Sequence, residues 1–178
     1  KLAETGVDLL ALAPGAHLTW LLGITPHGDE RPLLFCVTPN RSGFLMPALE
    51  AESARQHTDQ PFFPWADDAG PQVAFDALLD HLGASNASSI ALDETMRADH
   101  AALVQDRLLN ARRQFTESTV GALRMSKDDA EYALLKRNAL TADQAMQAAW
   151  AAMAPGMREI EVADIVRDAF KAQDVKPL

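Results

Sequence analysis

The chain has 178 residues, 48% of them hydrophobic and 23% charged, with a formal net charge of −9. This length holds one full domain, or one domain and part of another, and the balance is that of an ordinary globular protein rather than a disordered one. The acidity argues against a nucleic-acid binder, which needs a basic face to neutralise phosphates.

The single cysteine, Cys36, leaves no internal disulfide and fits a reducing, cytoplasmic compartment. It sits in the apolar run 33–37, so it reads as a buried, inert thiol. The apolar stretch around 9–24 is broken by Pro14, Gly15 and His17 and cannot span a membrane. No signal-peptide pattern of charge and cleavage site precedes it. Lys1 opens in what reads as the end of a helix, which suggests that the natural protein starts earlier.

In chain order, 7–12 reads as a buried strand closed by Pro14-Gly15. A short helical turn then carries Leu18, Trp20 and Leu21, and a polar loop covers 25–32. Segments 33–37 and 43–46 form paired strands around a turn at 39–43. Residues 48–55 are helical, and a proline-interrupted aromatic stretch, Pro61-Phe62-Phe63-Pro64-Trp65, follows. Residues 73–82 form a helix with Val73, Ala77, Leu78 and Leu82 on one face. A short strand at 89–92, a helix at 98–110 and a last strand at 114–116 complete the series. Alternating strands and helices over about 115 residues point to a layered α/β domain rather than a bundle.

The tail has a different pattern. From Ser126, read as an N-cap, the sequence is helical for about 28 residues. Tyr132, Leu135, Ala139, Ala142, Met146, Ala149 and Met153 draw one apolar stripe. Pro155-Gly156 ends this helix, and a second starts near Glu159 with Val162, Ile165, Val166 and Ala169 facing one way. Two amphipathic helices cannot close a core by themselves and need a sheet or further helices. Charge changes at the same place: residues 1–122 carry net −8 and residues 123–178 net −1. We therefore divide the chain into a domain at 1–122 and the first helices of a second at 123–178.

Catalytic motifs are absent from the pattern. The histidines His17, His27, His57, His81 and His100 are scattered, with no HxH, HExxH or CxxC. Asp93-Glu94, Asp67-Asp68 and Asp128-Asp129 are neighbours in sequence, and neighbours diverge on a helix or a strand, so no metal site is expected. GxSxG, GxxxxGK and GxGxxG are also missing. The most polar cluster is His27, Asp29, Glu30 and Arg31, between the helical turn and a strand. Read from residue types alone it is a solvent loop with local ion pairs. Trp65 reads as an aromatic anchor beneath a loop.

The stretch Leu123-Arg124-Met125-Ser126-Lys127-Asp128-Asp129-Ala130-Glu131, then Leu134-Leu135-Lys136, Ala154-Pro155-Gly156-Met157 and Glu159-Ile160-Glu161-Val162-Ala163, resembles the entry into the "pita-bread" catalytic domain of prolidases, aminopeptidase P and creatinase. Gly6-Val7-Asp8-Leu9-Leu10 and Ala16-His17-Leu18-Thr19-Trp20-Leu21-Leu22-Gly23-Ile24 resemble the opening of that family's N-terminal domain, with Trp20 at the usual Tyr and Ile24 at the usual Phe. His27-Gly28-Asp29-Glu30-Arg31 and Pro47-Ala48-Leu49-Glu50-Ala51-Glu52 are similar to stretches of bacterial Xaa-Pro peptidases.

The resemblance implies a creatinase-type N-terminal domain, a mixed sheet flanked by helices, followed by the first helices of a pita-bread domain. It implies a parent hydrolase that cleaves the bond before proline with two divalent metals, Mn or Co. The family's metal ligands (two Asp, one His, two Glu) lie downstream of this linker, so no metal or catalytic residue is expected within the chain. A homodimer through the N-terminal domain is implied as well, which would bring His27, Asp29, Glu30, Arg31 and Trp65 to the partner's substrate entrance or to the dimer contact. Creatinase-type amidinohydrolysis and a non-catalytic protein-binding module are the alternatives.

Overall fold

The computed structural model describes residues 1–175. The chain divides into two compact units, Lys1–Met125 and Ser126–Leu178. Among the described residues the first unit contains every strand: β1 (Leu9–Leu12), β2 (Leu34–Val37), β3 (Ser42–Pro47), β4 (Phe62–Trp65), β5 (Ser89–Leu92) and β6 (Arg112–Phe115). Its helices are α1 (Leu2–Thr5), α2 (Ala16–Leu22), α3 (Ala48–Ala54), α4 (Gln72–Leu82), α5 (Ala98–Arg107) and α6 (Val120–Met125), with a 3-10 turn at Thr116–Ser118. The second unit holds α7 (Asp129–Ala152) and α8 (Glu159–Lys171).

The six strands form one mixed sheet in the order β4-β3-β2-β1-β5-β6. β2 pairs antiparallel with β1 and β3, while β3–β4, β1–β5 and β5–β6 are parallel. Every strand except β2 therefore points the same way, and their C-terminal ends share one edge of the sheet.

Both faces of the sheet are covered, as an inner strand like β1, buried at all four residues, requires. On one face Leu9, Leu34, Leu45, Ile90 and Leu92 pack with Phe75, Leu78 and Leu79 of α4 and Val104 of α5. On the other, Leu10, Leu12, Phe35, Phe44 and Ala91 meet Leu18 of α2, Ala51 of α3 and Val120 of α6. Cys36 is fully buried on the first face, and burial pushes its thiol up to about 12, which makes it the inert core residue expected.

Three local expectations need correction. The aromatic stretch at 61–65 contains strand β4. Pro64 hides it in the sequence, yet β4 is an edge strand, where a missing N–H is tolerated. On α4 the buried face is Phe75, Leu78, Leu79 and Leu82; Val73 is 76% exposed. On α7 the N-cap is Asp128 rather than Ser126. Its Oδ1 accepts from Glu131 N at 2.8 Å while Asp128 N donates to Glu131 Oε2 at 3.1 Å, a capping box.

In the second unit α8 packs along α7, whose buried residues are Thr141, Ala145 and Ala149, spaced four apart. Small side chains on that line let the helices approach closely. Of the expected apolar stripe only Ala149 is buried, and Tyr132, Leu135, Met146 and Met153 are exposed. On α8, Val162, Ile165, Val166 and Ala169 are half-buried together. No helix of the described residues is long and apolar enough to cross a membrane.

Candidate functional site

In α/β sheets the C-terminal ends of the parallel strands are where loops converge and polar groups collect. Here that edge carries two polar clusters. One is the loop at 25–32, which enters β2 at the same edge. Asp29 Oδ1 accepts from Arg31 N at 2.8 Å and pins the turn. Arg31 then donates through Nε and Nη2 to Asp67 Oδ1 and Oδ2 at 3.0 and 2.8 Å, a two-pronged contact to the segment after β4. Its Nη1 lies 4.0 Å from Glu50 of α3. Burial first, and then repulsion from Asp29, push the Glu50 carboxyl up, with Arg31 and His27 pulling the other way. Trp65 is buried and donates from Nε1 to the carbonyl of Pro32 at 2.9 Å, a post beneath the loop. Arg97 is paired to Asp99 and feels Glu30 and Asp29 more weakly.

Beside this loop lies an open groove of about 620 Å³ between residues 23–27 and α3. Ile24, Pro26, Met46 and Leu49 give it an apolar lining, and His27, Glu50 and His57 supply polar groups. An apolar trough with a few polar groups has the character of a small-ligand or peptide side-chain site. The structure thus gathers His27, Asp29 and Arg31 around Glu50, places Glu30 toward Arg97, and sets Trp65 under the loop.

The second cluster joins residues that no sequence spacing links. His17 in the first turn of α2 is 6% exposed. Its Nε2 lies 3.1 Å from Glu94 Oε1 and 3.0 Å from Thr116 Oγ1, and its Nδ1 lies 2.9 Å from Arg124 Nη1. Thr116 Oγ1 donates to Glu94 Oε2 at 2.5 Å. A guanidinium can only donate, so Nδ1 must accept and the ring proton sits on Nε2, shared by Glu94 and Thr116. Burial pushes the Glu94 carboxyl up, but the hydrogen bonds from Thr116 and His17 prevail and hold it at about 2. Glu94 lies two residues past β5, Thr116 directly follows β6, and His17 follows β1. Residues at or just past the ends of three expected strands were the available signal.

His17, Asp93 and Glu94 form a potential metal-ligating cluster, with donor atoms within 4.8 Å of one another. Asp93 and Glu94, expected to diverge as sequence neighbours, converge because they lie in the turn beyond β5 rather than on a regular element. Asp93 Oδ1 accepts from Thr95 N and Oγ1, and Oδ2 is buried without a hydrogen-bond partner. The His17 nitrogen facing the carboxylates, however, carries the proton and has no lone pair to give. A ligating imidazole normally donates its other N–H to an acceptor, and here Arg124 stands in that position. Three donors also fall short of the five of a two-metal centre. The cluster does not fit the family's two-metal centre; it is a hydrogen-bond network in which Asp93 Oδ2 is left without a partner.

The Creatinase/Prolidase N-terminal domain family matches residues 1–126. No curated protein matches the chain. Among solved structures, the chain is similar to a dipeptidase from Pyrococcus horikoshii OT3, at 26% identity and a TM-score of 0.80 over 97% of this chain and 48% of that one. It is also similar to the dipeptidase PepE from Mycobacterium ulcerans, at 23% identity and a TM-score of 0.84 over 97% and 46%. An isolated Creatinase/Prolidase N-terminal domain of an X-Pro dipeptidase from Streptococcus pyogenes matches at 20% identity and a TM-score of 0.60, over 68% of this chain and 91% of that one. The chain spans about half the length of the first two. The mixed sheet flanked by helices is the architecture of these N-terminal domains, and the chain belongs to the creatinase/prolidase family through its N-terminal domain.

Proposed function

We propose that the chain is the N-terminal portion of a proline-specific metallopeptidase, a Xaa-Pro dipeptidase or aminopeptidase, and that this portion shapes the substrate entrance. The observation that carries the reading is the preorganised loop at 25–32 beside an apolar groove, with His27 exposed at its rim. The family match and the likeness to dipeptidases over 97% of the chain support it. We take residues 1–122 as the N-terminal domain and 123–178 as the linker and first helices of the catalytic domain.

In this reading the chain alone hydrolyses nothing, and two divalent metals, Mn or Co, belong to the catalytic half of the parent protein. Bound there, they supply an activated hydroxide and Lewis-acid stabilisation of the carbonyl. The parent is a cytoplasmic homodimer joined through this domain, and the loop carrying His27, Asp29, Glu30 and Arg31 contributes to the partner's entrance, with Trp65 supporting it. The test is hydrolysis of Xaa-Pro against Xaa-Ala dipeptides by the parent protein with Mn²⁺. Cleavage confined to Xaa-Pro is expected. Release of urea from creatine instead would assign the amidinohydrolase activity, and activity on neither substrate would leave a binding module.

A further inference from the structure

We propose that Arg31 is a positioning residue for the entrance: it fixes the angle at which the loop at 25–32 presents His27, and Asp67 is the point it works against. This rests on the reading of that loop as a substrate entrance. The ties between the loop and the sheet gather at its β2 end, on neighbouring residues. Trp65 Nε1 donates to the carbonyl of Pro32 at 2.9 Å, and Arg31 donates from Nε and Nη2 to the two Asp67 oxygens at 3.0 and 2.8 Å. Both ties land on the end of β4 and the residues just after it. Asp67 is itself held, in a turn where Ala69 N and Gly70 N donate to the Ala66 carbonyl at 3.1 and 2.9 Å.

Two attachments do what one cannot. A single hydrogen bond at Pro32 is a pivot, about which the loop can swing. A guanidinium–carboxylate fork is planar and fixes direction as well as distance. The third nitrogen, Nη1, lies 4.0 Å from Glu50 Oε1 on α3, which forms the opposite wall of the groove. One side chain therefore ties the loop to the end of β4 and faces the groove wall, and it sets the gap in which His27 stands four residues earlier. With Nε and Nη2 engaged by Asp67 and Nη1 turned to Glu50, the fork is taken up inside the domain. Arg31 acts on substrate through the loop, not by contact. The pair is open to water on the Asp67 side, where the side chain is 66% exposed. Such a pair adds little to global stability, so its removal should alter the loop rather than the fold.

Two readouts on the parent protein separate the clamp from the entrance. Subtilisin cleavage within 24–31, mapped by mass spectrometry, reads the loop whatever the substrate. Arg31→Met and Asp67→Asn should each speed that cleavage about fivefold, and together no more than either alone. With the dipeptide Ala-Pro and Mn²⁺, each variant should raise KM by about fivefold with kcat nearly unchanged. On a His27→Ala background Arg31→Met should add nothing further to KM, because it acts through His27. Cleavage at the wild-type rate in both variants would overturn the clamp, with or without the entrance. KM losses from Arg31→Met and His27→Ala that multiply would make Arg31 a direct contact and overturn its positioning role. Wild-type KM in Arg31→Met while His27→Ala raises it would overturn that role and leave the entrance reading standing. Wild-type KM in His27→Ala as well would remove the entrance reading, and this role with it.

Discussion

The two units of the chain solve the burial problem in opposite ways. In the first, a six-stranded sheet is sandwiched between helices, and large side chains such as Phe35, Phe44, Phe75 and Leu78 are fully buried. In the second, two helices cover each other along a line of small residues, and Tyr132, Leu135, Leu140 and Trp150 are exposed. A sheet offers two broad faces and closes a core on each; a helix pair offers only a narrow seam. Stability should therefore be concentrated in the first unit and nearly insensitive to apolar truncation on α7.

Phe75→Ala should show this most strongly. It leaves a cavity between α4 and the sheet and should cost about 3–5 kcal/mol in urea unfolding of the first unit. A loss under about 1 kcal/mol would place the core elsewhere.

Acid sensitivity should sit in the same unit. The Glu94 carboxyl is lowered from its ordinary 4.5 to about 2, so its ionised form favours the folded state. That contribution is complete above about pH 4.5 and is lost as pH falls toward 2. Glu94→Gln should flatten the acid limb of the stability profile between these values, and an unchanged limb would show that the network carries no folding energy.

Asp128→Ala should cost α7 about 1 kcal/mol by removing its capping box, read as earlier loss of helical circular dichroism. Leu135→Ala should be smallest, within about 0.5 kcal/mol, because Leu135 is already half in water. A large effect there would mean that α7 is covered by something in solution.

The contrast between the units also explains what the sequence could reveal. Strand runs such as 7–12 and 89–92 are legible because both faces are buried and the apolar run is continuous. The N-cap of α7 slipped from Ser126 to Asp128 because both residue types cap, and only geometry selects the one whose partner is Glu131. Strand β4 was masked by Pro64, whose cost depends on edge position, a property of the sheet order rather than of the segment.

Sites obey the same rule. His27, Asp29 and Arg31 stand together in sequence and could be read as one loop. Their partners Glu50 and Asp67 come from α3 and from the segment after β4, which only the sheet brings together. The His17 network joins residues up to 107 positions apart. No spacing rule links them, although His17, Glu94 and Thr116 stand at or near the ends of elements that were themselves legible; Arg124 lies on α6, which was not expected.

Whether the loop at 25–32 lies at a substrate entrance is tested most directly by His27→Ala in the parent protein. His27 is exposed and makes no core contact, so the variant should fold normally. With a Xaa-Pro dipeptide and Mn²⁺ we predict a KM raised by about tenfold with kcat changed far less, the signature of lost substrate binding. Unchanged KM and kcat would contradict the placement and leave the loop as a surface feature of the domain.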